Sequence, residues 1–176
     1  ANWRPILRIV ESDARDVAHR GEDHEVVDWM VERLREGEQD VYVVVLDDID
    51  AAGHSTGFSP ENPAYIEAIE VMDRNVGAMW EAVNARSDRE DWLVLMTSDH
   101  GGGGRGHGST NAVCREVPLV VWGSGVQAGE ISRNSPSQMD LFPTLLHFLE
   151  IKMEESWGLA GRVQGFSLPT SSHSRP

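Results

Sequence analysis

The chain has a single cysteine, Cys114, in 176 residues, so no internal disulfide can brace it and a disulfide-stapled scaffold is excluded. That count says little about compartment. No apolar run approaches the roughly 20 residues that a membrane-spanning helix needs, and no internal repeat is visible. Basic residues are also scarce. Against 29 Asp+Glu stand only 15 Lys+Arg, a formal charge of −14, which repels a polyphosphate backbone. No local basic patch offsets this surplus, so a nucleic-acid-binding surface is not expected. The first ten residues, ANWRPILRIV, lack the basic, apolar and small-residue order of a signal peptide. The chain opens on Ala rather than Met, and it is expected to be part of a longer polypeptide. No localisation is assigned.

What is present reads as a globular α/β chain. With 40% hydrophobic and 25% charged residues, the composition is that of a folded domain and not of a disordered one. A short apolar run covers Ile6 to Val10. Val27, Met30, Val31 and Leu34 share one helical face over Asp23 to Arg35, with Gly37 placed as a stop. Asn62 is placed to cap, and Pro63 to open, a helix whose stripe is Tyr65, Ile69, Met72, Val76, Met79 and Val83. The β-branched run Val41 to Leu46 predicts a strand covered on both faces, and Trp92 to Thr97 and Pro118 to Trp122 predict two more. Ser137 to Leu149 predicts a helix that starts near, or is kinked at, Pro143. The polar, Pro/Ser-rich end from Gly165 is expected to be a tail, mobile over residues 169–176. Strands alternating with helices predict a layered α/β/α domain over residues 1–168 with a mostly parallel sheet. In such sheets, ligands sit beyond the carboxyl ends of the strands.

Two of the expected strands deliver Asp and His at that end. After Val41 to Leu46 comes Asp50-Ala-Ala-Gly-His54, in which Gly53 is expected to turn the backbone so that Asp50 and His54 converge. After Trp92 to Thr97 comes Ser98-Asp99-His100-Gly101, where Gly101 supplies the bend that neighbouring ligands need to reach one ion. A third candidate, His107, is flanked by Gly106 and Gly108 with no apolar neighbours. Carboxylates with imidazoles and no thiolate suit Zn²⁺ and admit Mn²⁺, Fe or Mg²⁺. Asp50, His54, Asp99, His100 and His107 exceed the usual ligand set of one catalytic zinc, so they point to two ions roughly 4 Å apart.

Several other residues are set aside. Gly101-Gly-Gly-Gly-Arg-Gly106 formally matches a dinucleotide-binding GxGxxG but opens no amphipathic helix, and it lacks the Lys of a phosphate-binding P-loop. It reads as a flexible loop carrying His107, with Arg105 as an anion contact or a solvated side chain. Asp47 and Asp48 read as solvated, Asp140 as a helix cap, and His19, His24, His147 and His173 as surface or helix residues.

The order DIDAAGH, YIEAIEVMDRNVGAMWEAV, WLVLMTSDHGG, GHG, VPLVVWGSGV and QMDLFPTLL resembles the C-terminal half of the alkaline phosphatase superfamily. The resemblance is strongest to type I phosphodiesterase/nucleotide pyrophosphatase and sulfatase-like members, over residues 40 to 168. It implies that Asp50, His54 and His107 hold one metal and Asp99 and His100 the second. It also implies a hydrolase of phosphate esters acting on a small molecule, with a sulfatase or a mutase-like phosphotransferase as rivals within the superfamily. A non-catalytic metal-binding or interaction domain is the rival from another class. Members of the superfamily also use an Asp and a Ser or Thr nucleophile far upstream of these motifs. Neither is found in residues 1 to 40, where Asp13, Asp16 and Asp23 follow no buried strand. The expectation is therefore a chain that forms about half of an enzyme, inactive by itself, whose partner is the missing N-terminal half.

Overall fold

In the computed structural model, residues 21–129 and 136–167 are described. The expected run Ile6 to Val10, His19, His173 and the tail 169–176 lie outside them. The chain divides into two compact units between Arg86 and Ser87.

The first unit is helical. Helix α1 (Asp23–Glu36) buries Val27, Met30 and Leu34 and ends at Gly37, whose N–H bonds to the Arg33 carbonyl. The predicted stripe and stop are both present. Helix α2 (Asp48–Thr56) is short. Helix α3 (Pro63–Asn84) begins as expected, with the Asn62 side chain accepting from the Ala64 N–H and Pro63 in the first turn. Both α1 and α2 pack on α3, which contributes buried Ala82 and Val83. At the far end of α3, Arg86 donates to the Leu34 carbonyl, closing the end of α1.

Between α1 and α2 the expected doubly covered strand does not form. Val41 to Leu46 joins no sheet among the described residues, and Val43 and Val45 are 78% and 65% exposed. Tyr42, Val44 and Leu46 are half-buried, so the run is covered on one face only. Tyr42 ties it down by donating its hydroxyl to the Arg33 carbonyl at 3.2 Å.

The second unit holds an antiparallel pair, β1 (Leu93–Thr97) and β2 (Leu119–Gly123), with Leu93 opposite Gly123 and Thr97 opposite Leu119. The two strands lie where the sequence puts them, yet the expected mostly parallel arrangement is not what the described residues show. A parallel return needs a crossover, usually a helix. The connection here contains only the four-residue helix α4 (Ala112–Arg115), and the chain turns back alongside β1 instead. A 3₁₀ turn (Gln138–Asp140) leads into α5 (Leu141–Phe148), which packs on β1. Pro143 sits in the first turn of α5, where its missing N–H costs nothing.

Asp140, expected as a cap, is the buried hub of this unit. Its carboxylate accepts from the backbone N–H groups of Ser137 and Arg162 at 3.0 and 2.8 Å and from the Gln164 amide at 2.6 Å. Fully buried Thr144 donates to the Asp140 carbonyl at 2.6 Å and accepts from the Gln164 N–H at 3.0 Å. Burial by itself would raise the Asp140 pKa. The three donors, with the Arg162 charge, outweigh it and hold the carboxyl below its ordinary value.

Candidate metal-ligand sites

Asp50 and His54 lie one turn apart on α2, with the His54 Nε2 3.4 Å from an Asp50 carboxylate oxygen. The expected convergence is present, but its cause is different. Gly53 makes no sharp turn; it lies inside the helix and is buried. A Cβ there would meet the Phe58 ring at 2.2 Å, so Gly53 makes room for Phe58. That ring in turn stands edge-on to His54 and to Tyr65, each at a centroid distance of 5.5 Å. Gly53→Ala is expected to destabilise the first unit by about 1–3 kcal/mol through overpacking, read as a lower urea midpoint. Adding Phe58→Ala should remove much of that penalty.

Two residues to which the sequence assigned no role at the site shape this end of α2. Asp23, buried at the start of α1, accepts from the Asp47 and Asp48 N–H groups at 2.9 and 2.8 Å. Its charge therefore satisfies the first amides of the helix that carries Asp50 and His54. Asp48 is left in an acidic setting, and burial first, then Asp23 and Glu22, raise its pKa. Tyr65, read from sequence only as part of a core stripe, has its phenol pKa raised by burial and then by the Asp50 charge, so it stays neutral.

In the second unit, β1 runs directly into Asp99 and His100. Thr97 donates to the Pro118 carbonyl at 2.8 Å, and Ser98 to the His100 carbonyl at 2.7 Å, which bends the chain as it leaves the strand. The His100 Nδ1 lies 3.1 Å from the Gly101 carbonyl. A carbonyl only accepts, so this contact requires the proton on Nδ1 and leaves the Nε2 lone pair available to a metal. The same Nε2 is 3.5 Å from an Asp99 carboxylate oxygen. Gly101 is required for its closeness to other backbone: a Cβ would lie 2.2 Å from the Val113 carbonyl oxygen.

The glycine-rich stretch is ordered as a tight hairpin. Gly103 and Gly106 exchange backbone hydrogen bonds at 3.0 and 3.3 Å, with Gly104 and Arg105 at the tip. This return sets the ring of His107 on that of His100, with centroids 3.7 Å apart and planes 16° from parallel. A cavity of about 310 Å³ adjoins His107, lined also by Ser109, Asn111 and Cys114. Of the other histidines, His147 packs edge-on to Phe166 at 5.0 Å, as a helix residue rather than a ligand.

Carboxylate and imidazole donors without thiolate thus gather after β1 and on α2. The sequence pattern of the metalloenzyme superfamily matches residues 8–153. The chain belongs to that superfamily. Alkaline phosphatase is among its members, so the resemblance read from the motifs stands.

Among proteins similar to this metalloenzyme chain is the 2,3-bisphosphoglycerate-independent phosphoglycerate mutase of Staphylococcus aureus, 30% identical over 75% of this chain and 25% of its own length. The mutase of that name from Haloquadratum walsbyi is 27% identical over 85% of the chain and 29% of its own length. GPI ethanolamine phosphate transferase 1 of Yarrowia lipolytica is 27% identical over 75% of the chain and 15% of its own length. The chain therefore spans under a third of each of these relatives. No solved structure matches it. The family is one of metal-dependent phosphoryl transfer, and among the described residues no helix is long and apolar enough to cross a membrane.

Proposed function

We propose that this chain supplies the ligands of two divalent ions, zinc first among the candidates and Mn²⁺ or Mg²⁺ next, in a hydrolase of small phosphate esters. Asp50, His54 and His107 would hold one ion, and Asp99 and His100 the other. The observation that carries the reading is the loop after β1 in a chain of this superfamily: the Gly101 carbonyl fixes the His100 tautomer, and the neighbouring His107 ring is held by a hairpin. The donor set fits divalent cations, since it joins hard oxygens to borderline nitrogens. Such ions, when bound, lower the pKa of a coordinated hydroxyl and offset the charge of phosphoryl oxygens.

The chain's own residues do the holding. Asp50 orients the His54 ring, Asp23 anchors the helix beneath both, and the hairpin sets His107. Exposed carboxylates in a chain of net charge −14 would repel a phosphate ester without cations, so metal loading and substrate binding are coupled in this reading.

By the family resemblance, the nucleophile, a Ser or Thr, and one further Asp ligand come from sequence outside this chain. The relatives' spans support this, because the chain corresponds to under a third of their length. All three of those relatives are named for mutase or transferase reactions. Water and an alcohol are thus both acceptors to test.

The experiment uses the longest natural polypeptide that carries this chain, with p-nitrophenyl phosphate and bis-p-nitrophenyl phosphate as substrates. Hydrolysis that a chelator abolishes and zinc or manganese restores is expected, with product transferred to an added alcohol marking a transferase. Bound metal with no turnover of either ester would instead indicate a non-catalytic domain.

A further inference from the structure

Gln138 opens the QMDLFPTLL motif but was given no role by sequence, and its side chain reaches 40 residues back along the chain. Its amide nitrogen donates to the Ser98 carbonyl and, at 2.8 Å, to the Asp99 carbonyl. Two consecutive carbonyls of the ligand loop thus converge on one amide, whose two hydrogens suit them.

The base of that amide is itself held. Ser137 accepts from the Met139 N–H at 3.1 Å, while the Ser137 N–H bonds to Asp140 at 3.0 Å, forming a capping box around Gln138. Asp140 in turn is tied to Arg162 and Gln164. The chain at Gly161 passes so close that a Cβ there would lie 1.9 Å from the Met139 carbonyl oxygen. Gln138 is therefore presented from a fixed turn.

We infer that Gln138 is a positioning residue for the metal ligands Asp99 and His100, clamping the backbone of their loop by the paired carbonyls of Ser98 and Asp99. The inference rests on the proposed ligand role of Asp99 and His100. Without the clamp, the loop leaving β1 would lose its tie to the turn at Gln138 and keep the hydrogen bonds of Thr97, Ser98, His100 and Gly101. The ligands would then spend part of their time out of register, and metal binding would have to order them. Residues that orient metal ligands from outside the coordination sphere are worth about 10–100-fold in metal affinity.

The test compares Gln138→Met, which keeps the length and loses both donors, with Gln138→Lys, whose ammonium can donate to both carbonyls. Zinc affinity is measured by competition with a chromophoric chelator, and amide hydrogen exchange is followed without metal, both on the full chain. Gln138→Met is expected to weaken zinc binding about 10-fold or more. It should also speed exchange at Gly101, whose N–H bonds to the Cys114 carbonyl at 3.1 Å, while leaving β2 and α5 unchanged. Gln138→Lys should stay near the wild type in both readouts.

Asp99→Ala serves as the reference. If it weakens zinc binding and Gln138→Met does not, the clamp is refuted and the ligand reading stands. If neither changes zinc binding, both fall. Faster exchange throughout the second unit in Gln138→Met would make Gln138 a general stabiliser and overturn its positioning role.

Discussion

His107→Ala is expected to remove the phosphate-ester activity of the longest natural polypeptide carrying this chain while leaving its stability within about 0.5 kcal/mol of the wild type. The two halves of that expectation have separate causes. His107 is exposed at the base of a glycine hairpin, so its removal opens no cavity and strands no buried polar group. Its ring is one of three proposed ligands of one ion and stacks on His100 at 3.7 Å. Losing it withdraws charge stabilisation worth several kcal/mol from the transferring phosphoryl group, on the order of a 10³-fold fall in kcat/KM. Steady-state kinetics at saturating zinc, with a thermal melt alongside, check both. Near-normal turnover in a folded variant would remove His107 from the site.

The opposite pattern is expected of Asp140→Ala. This carboxylate is 5% exposed and satisfies three donors, from Ser137, Arg162 and Gln164. Alanine leaves those part-buried donors without their acceptor, at a cost on the order of 3 kcal/mol to the second unit. Asp140→Asn should recover only part of this, because its amide group turns a donor toward donors.

The penalty has a definite pH dependence. The folded pKa of Asp140 lies below the ordinary value of 3.8, so the ionised form is the one the fold favours. Its contribution is fully present above the unfolded pKa and is lost as pH falls through the folded one. The gap between wild type and Asp140→Ala, measured by denaturant unfolding, should therefore be wide at pH 7 and narrow below about pH 4. A constant gap across that range would contradict the role given to the charge.

These two expectations also mark where the sequence could be read and where it could not. Local patterns carried far. The stripe of α1, the Asn62-Pro63 start of α3 and the two strands flanking the glycine loop all arise from neighbours within one or two turns or one strand. Pairing is not local. Nothing within Leu93–Thr97 or Leu119–Gly123 specifies whether the partner runs alongside or against it, and the connection decided for antiparallel. Val41 to Leu46 has a strand's composition, but burial depends on what lies on each face, and Val43 and Val45 are largely open.

The ligand candidates were visible as residue types at strand ends, and Asp50 and His54 do approach each other. The reason was misread, since helical spacing brings them together and Gly53 accommodates Phe58. The roles of Asp23 and Gln138 were out of reach of any local pattern. Each is a common polar residue whose partners lie 24 or 25 and 39 or 40 positions away, and only the folded chain shows what they hold.

The account's central claim, five residues holding two ions, is tested most directly by counting metal. Zinc bound per chain would be measured in the longest natural polypeptide, for the wild type, Asp50→Ala and Asp99→Ala, by elemental analysis after dialysis against buffered zinc. Two ions are expected in the wild type and close to one in each variant, with folding unchanged by circular dichroism. The same zinc content in all three proteins would contradict the assignment of these residues as ligands.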